Sequence, residues 1–208
     1  MKETVYFKSI EEILEEVGED KFQNFSTTSF KFKTDVWEFF KNLEGSHTWN
    51  ALEFGTHKGQ TTRVLSYLFS KVYTINFPGH FHEAQVLNSD RTNIEYIAMV
   101  LYKSYTFDDN PNTKPLNVFV VDAGHDTQNV LDDVARACSM NLGNGDVYFI
   151  FDDYGLNERV FVAIEQLIYN GRLVKIQEIG HPIKYSFGGF PERVLTKGSE
   201  GLICKLNR

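Results

Sequence analysis

The sequence has only two cysteines in 208 residues, no run of about 18 apolar residues, and no excess of basic charge. Cys138 and Cys204 belong to no CxxC pair and cannot form a disulfide framework, so they read as small buried hydrophobes. Without a long apolar run, no membrane span is expected. The balance of 21 Lys and Arg against 28 Asp and Glu gives a net charge of −7, which argues against nucleic acid as a partner, because tracking a phosphate backbone needs clustered cations. The opening residues, MKETVYFKSIEEILEE, place acids where an export signal needs an apolar core, which predicts a reducing, cytoplasmic setting. A GxxxxGK[ST] phosphate loop, a low-complexity tract and a fixed-period repeat are also missing. What remains is 42 % hydrophobic and 14 % aromatic residues, enough to bury the core of one domain.

Ile10, Ile13, Leu14 and Val17 recur at helical spacing before Gly18. Thr34 is placed to cap a second helix, with Val36, Phe39, Phe40 and Leu43 on one face before Gly45. Residues 1–48 are therefore expected to form a helical cover over a core of residues 49–208, the two making a single domain. From Trp49 the pattern changes to short apolar runs separated by helical ones. Strands are expected at 50–54, 72–76, 94–99, 118–122, 147–151, 174–179 and 202–206, and helices at 60–69, 83–90, 128–140 and 159–169. NVFVVD and DVYFIFDD are apolar at nearly every position, as when helices cover both faces of a parallel sheet. The fold class is thus α/β: a single Rossmann-like, doubly wound sheet of about seven strands. No helix separates the last two strands, which predicts an antiparallel pair joined by the loop 181–200, read as an ordered lid or a surface excursion.

In ALEFGTHKGQTTRVLSYL the first strand runs into a turn bracketed by Gly55 and Gly59, and Thr61 or Thr62 opens the next helix. Glycine there lets a ligand lie across the helix N-terminus, although a purely structural turn is the alternative. Nucleotide-binding forms use three glycines, whereas His57 holds the middle place here, so a pyrophosphate cradle is not supported. An NAD-dependent dehydrogenase stays open because many cofactor folds share a strand, a glycine turn and a helix.

The segments VFVVDAGHDTQNVLDD and VYFIFDDYG end two apolar strands in acids: Asp122 on one, Asp152 and Asp153 on the other. Strand tips of open α/β sheets face one crevice, and carboxylates gathered there repel unless one is protonated or a cation sits between them. Hard oxygen donors without cysteine favour Mg²⁺ or Mn²⁺ over Zn²⁺. In the structural alternative Asp152 caps the following helix and Asp122 accepts a hydrogen bond on the cofactor side. His125, three residues after Asp122, overlooks the same crevice and can take a proton from a metal-acidified hydroxyl, or merely bond a carboxylate. Asp126 is a second candidate base. His80 and His82, in the loop after the second strand, are candidates for substrate contact or a metal role, or are solvated loop residues, and His181, after the sixth, is a candidate to line the acceptor pocket. Tyr154, Tyr185, Phe187 and Phe190 offer faces for sugar stacking, or pack in the core or lid.

Glu53-x-Gly55-x-x-x-Gly59 followed by Thr61 and Thr62 resembles the first motif of class I S-adenosylmethionine-dependent methyltransferases, where the turn lies against the amino-acid part of the cofactor. The resemblance implies cofactor contacts from Glu53, Gly55, Thr56, Gly59, Thr61 and Asp122. It also implies one from Asn76, which holds the strand-end place where the family usually has an acid for the ribose hydroxyls. The Asp122, His125, Asp152, Asp153 pattern is similar to that of metal-dependent sugar O-methyltransferases, which decorate deoxysugars of macrolide and aminocoumarin antibiotics. By that resemblance Asp122, Asp152 and Asp153 hold Mg²⁺ (or Mn²⁺), and His125 is the base. The likeness spans about residues 49–170. It implies methyl transfer to a sugar hydroxyl, with a deoxyhexose such as rhamnose, alone or in a glycan, as acceptor, and a homodimer as the assembly. A metal-independent small-molecule methyltransferase and a non-catalytic S-adenosylmethionine-binding module are the alternatives.

Overall fold

The computed structural model describes residues 8–18, 28–101, 111–182 and 198–208. Two helices, α1 (Ile10–Glu16) and α2 (Phe30–Lys41), precede the first strand. The seven strands are β1 (Asn50–Phe54), β2 (Lys71–Asn76), β3 (Ile94–Ala98), β4 (Val118–Val121), β5 (Tyr148–Phe151), β6 (Leu173–Pro182) and β7 (Ser199–Leu206). They form one sheet in the order β3-β2-β1-β4-β5-β7-β6. The first five are parallel, and β7 runs antiparallel to both β5 and β6. Parallel neighbours need crossovers. These are α3 (Gln60–Leu68), α4 (His82–Leu87) and α5 (Thr127–Ser139), while α6 (Glu158–Tyr169) leads from β5 to β6.

The apolar runs are explained by cover on both faces. Ile13, Phe32, Trp37 and Phe40 from α1 and α2 pack with Val64 and Leu65 of α3 against Val118, Val120, Ile150 and Ile203. On the other face Val130 and Val134 of α5 and Ala163 and Ile164 of α6 pack against Leu52, Phe119, Phe149 and Cys204. Every residue of β4 and β5 is buried. The doubly wound sheet and the antiparallel final pair both match the expectation from sequence. Cys138 and Cys204 are free thiols, Cys204 buried and Cys138 partly so.

Several boundaries differ from the expectation, and β6 runs on to Pro182. α2 is capped by Ser29, whose Oγ accepts from the Phe32 amide at 3.0 Å. Thr34 lies one turn inside, where its hydroxyl donates to the Phe30 carbonyl at 2.9 Å. The alternation in FKFK masked this start, yet Phe32 and Lys33 are both buried on the inner face. α4 is shorter than the expected 83–90 because the Asn88 amide donates to the Gly59 and Ala84 carbonyls and closes it. It also begins at His82, which is therefore helical and not in a loop. β7 starts three residues early, at Ser199. Tyr185, Phe187 and Phe190, and most of the loop 181–200, lie outside the described residues.

Candidate active site

β1 and β4 are neighbours whose onward connections lead to opposite halves of the sheet, β1 to β2 and β4 to β5. Ligands of open α/β sheets gather at such a switch point. A cavity of about 430 Å³ opens there. Its floor is tied together by backbone: the Gly55 amide donates to the Ile75 carbonyl and the Asp122 amide to the Phe54 carbonyl, each at 3.0 Å. Gly55 has φ +99, and a Cβ on it would stand 2.7 Å from the Asp122 carbonyl carbon. The close approach of β4 alone thus demands glycine, and the residue also lines the cavity.

The other first-motif residues support this wall from behind and do not line it. Glu53 is buried, and its Oε2 accepts from Thr62 Oγ1 and Thr74 Oγ1, both at 2.6 Å. Burial pushes its carboxyl up to about 7, against the opposing pull of those hydroxyls and of the Lys33 charge. Thr56 joins the same network through Thr74 at 2.6 Å, and Thr61 pairs with Thr28 at 2.9 Å. Gly59 lies under α4, where a Cβ would meet Ala84 Cβ at 2.6 Å. Asn76 does line the cavity, with its amide closing the β2 turn: Oδ1 accepts from Phe77 N at 2.9 Å and Nδ2 donates to the His80 carbonyl at 3.2 Å. His57, Phe77 and His80 complete this side.

Asp122, Asp152, Asp153 and His125 all reach the cavity. Asp122 is hydrogen-bonded to Asp152. Burial holds both carboxyls well above the carboxylate range, reinforced at Asp122 by the Asp153 and Glu53 charges and at Asp152 by the Asp122 and Asp153 charges. Both shifts run in the direction expected where like charges are gathered out of water. Asp152 Oδ1 is buried without a hydrogen-bond partner. Asp153 has φ +58, a left-handed conformation that Asp tolerates. It points its Oδ2 to His125 Nε2, 2.8 Å away. That hydrogen bond raises the His125 pKa above its ordinary 6.5, opposed by partial burial.

Among the described residues, no three His, Cys, Asp or Glu side chains are arranged to hold a metal ion. The expected Asp122, Asp152, Asp153 ligand set is split: Asp122 is paired with Asp152, and Asp153 is turned to His125. Asp126 is drawn away into an ion pair with Arg159. Asp152 does not cap the following helix, because Asn157 does so through Arg159 N at 3.0 Å. His82 and the His181 side chain are not among the lining residues, and Tyr154 is buried with its hydroxyl donating to Glu165 at 2.7 Å.

One charged wall residue escaped the sequence reading. Glu200, at the start of β7, is 1 % exposed and lines the cavity. Its Oε1 accepts from Ser29 N at 2.6 Å, and its Oε2 accepts from Ser29 Oγ at 2.5 Å and His181 N at 3.2 Å. Because β7 is antiparallel, its first residues reach the edge where the parallel strands end. The signal was an acid just ahead of the apolar run GLICKL.

No protein-family model matches the chain, and no curated protein matches it. Solved structures do. An O-methyltransferase from Bacillus cereus in complex with S-adenosylhomocysteine superposes with a TM-score of 0.61 at 16 % identity, over 99 % of this chain and 94 % of that one. The fold is that of the class I methyltransferases. The O-methyltransferase TomG from Streptomyces achromogenes, in complex with S-adenosylmethionine, gives a TM-score of 0.59 at 14 % identity over 96 % of this chain and 89 % of that one. An rRNA methylase from Streptococcus thermophilus gives 0.55 at 14 % identity over 86 % of this chain and 96 % of that one. At such identities the likeness is one of methyltransferase fold alone.

Proposed function

We propose that the protein transfers the methyl group of S-adenosylmethionine to a hydroxyl group of a sugar, with His125 as general base. The observation that carries this reading is the His125–Asp153 pair at 2.8 Å, on the wall of a cavity that begins at the Gly55 turn. The cofactor supplies an electrophilic methyl on a sulfonium, and transfer breaks that carbon–sulfur bond as the carbon–oxygen bond forms. Asn76 retains one amide hydrogen and one lone pair for hydroxyls, Phe77 offers a ring face to a purine, and the Asp122 carboxyl suits a cationic group. Nε2 of His125 donates to Asp153, which fixes the tautomer and leaves the Nδ1 lone pair to take the hydroxyl proton. Asp153 then stabilises the imidazolium that forms.

Sugar as acceptor is supported by the motif resemblance and by the polar wall. The split aspartates do not form the three-ligand site expected for Mg²⁺ or Mn²⁺, so no step runs through a metal, and turnover is expected to survive EDTA. Loss of turnover on chelation, restored by Mg²⁺, would return these acids to the metal-holding role. The primary test is calorimetric titration with S-adenosylhomocysteine, together with methyl transfer to a panel of deoxyhexosides. S-adenosylhomocysteine is expected to bind, and His125→Ala to lower turnover by about 10²–10⁴-fold while leaving the donor bound. Unchanged turnover in that variant, or no binding of S-adenosylhomocysteine, defeats the reading.

A further inference from the structure

The sheet ends on one side at β6, and among the described residues no strand pairs beyond it. Ten residues long, β6 is twice the length of β3 at the other edge. An open edge presents backbone amides and carbonyls to which a second strand can add. Which residues present them follows from β7. The Leu206 amide donates to the Val147 carbonyl on the β5 side, and the Asn207 amide to the Arg172 carbonyl on the β6 side. Alternation then turns Ile203 and Lys205 toward β6, where they meet Gln177 and Val174. Lys175 and Glu178, opposite Cys204 and Leu202, are left with their backbone groups facing outward. Further along, the edge is closed, because the Gly180 amide donates to Asp35 Oδ2 at 2.8 Å.

The two outward residues carry opposite charge and share one face. Cys204 and Leu202 pack in the cluster under α5 and α6, so Lys175 and Glu178 stand on that side of the sheet. They flank the register shift at Ile176, and Lys175 Nζ donates to Glu178 Oε1 at 2.7 Å. Val174 and Ile176 are 46 % and 43 % exposed.

Antiparallel pairing of β6 with a second β6 about a two-fold axis can set outward residues opposite each other in three ways: Lys175 with Lys175, Glu178 with Glu178, or Lys175 with Glu178. The first two place like charges face to face, which is destabilising. The third has its axis between Ile176 and Gln177 and places opposite charges together twice. Reversed, the run Lys-Ile-Gln-Glu is complementary to itself, so the strand this edge fits is its own copy.

We propose that two copies of this chain pair through β6 in the third register, continuing the sheet across the two-fold axis. Each Lys175 then lies opposite the second copy's Glu178 in a neutral cluster of four charges, and each Ile176 is covered beside the second copy's Gln177. None of these residues is among those lining the cavity, so the inference stands apart from the methyltransferase reading.

The test is sedimentation velocity of the full chain over a concentration series, with hydrogen exchange followed at the Lys175 and Glu178 amides. A dimer is expected, and both amides should exchange more slowly as it forms. Lys175→Glu and Glu178→Lys each set like charges opposite one another, and each is expected to raise the dimer dissociation constant at least about tenfold. The two substitutions together restore opposite charges and should return that constant to within about threefold of wild type. Thermal denaturation reports that each variant is folded. A monomer throughout, a dimer whose edge amides stay fast, single variants that dimerise like wild type, or a double variant that does not recover overturns the proposal.

Discussion

His125 is half exposed, and one of its ring nitrogens is committed to Asp153. A base must be neutral to act, and the carboxylate favours its charged form, as do Asp152 and Asp126 more weakly. The acidic limb of the kcat/KM profile is therefore expected above pH 6.5. In Asp153→Asn the limb should move toward lower pH, because the largest influence holding the proton is gone, and kcat should fall because the tautomer is no longer fixed. A limb that stays in place in this variant would show that another group takes the proton. His125 was legible because its offset from Asp122 is short and local. The direction of Asp153 was not, because it depends on one left-handed backbone angle at the end of β5.

Two elements carry the site, and each has its own weak point. At the β1 turn, Gly55→Ala forces a side chain against the Asp122 backbone at an unfavourable φ. It is expected to lower stability by roughly 2–5 kcal/mol. A urea midpoint indistinguishable from wild type would mean that β4 moves aside easily. At the start of α2, Ser29 both caps the helix and donates twice to Glu200, once from its amide and once from its hydroxyl. Ser29→Ala removes the cap and the hydroxyl donor while keeping the amide. A loss of about 1 kcal/mol is expected from the cap, with more if Glu200 finds no replacement donor. Equality with wild type in thermal denaturation would refute this assignment. The body of α2 was evident from its apolar spacing, but its first turn was hidden by FKFK, and only the packing of Phe32 and Lys33 shows which way those residues face.

For the molecule as a whole, the alternation of apolar strands and amphipathic helices was enough to read the sheet and its antiparallel close, since burial of β4 and β5 on both faces leaves its mark at every position. The network around Glu53 was not readable, because Thr56, Thr62 and Thr74 come from three elements that meet only in the folded chain. That network makes stability depend on pH. The Glu53 carboxyl titrates at about 7 in the fold against 4.5 ordinarily. The folded state holds the proton more tightly, so this contribution is full below pH 4.5 and is lost as pH rises through 7. A gap of that size is worth roughly 3 kcal/mol. Glu53→Gln should lack this loss, so urea denaturation is expected to show wild type falling behind the variant between pH 5 and pH 8. Parallel curves would contradict the assignment.

The order of strand tips also bears on how such a protein changes its chemistry over time. Residues facing the proposed donor come from β1 and β2, those facing the proposed acceptor from β5 and β7, and the locked backbone of Gly55 and Asp122 divides them. On the proposed reading, exchanging the side chain at position 152 would alter the acceptor half while the donor half stays intact. Descendants that share one half of the pocket and diverge in the other are the outcome this arrangement favours.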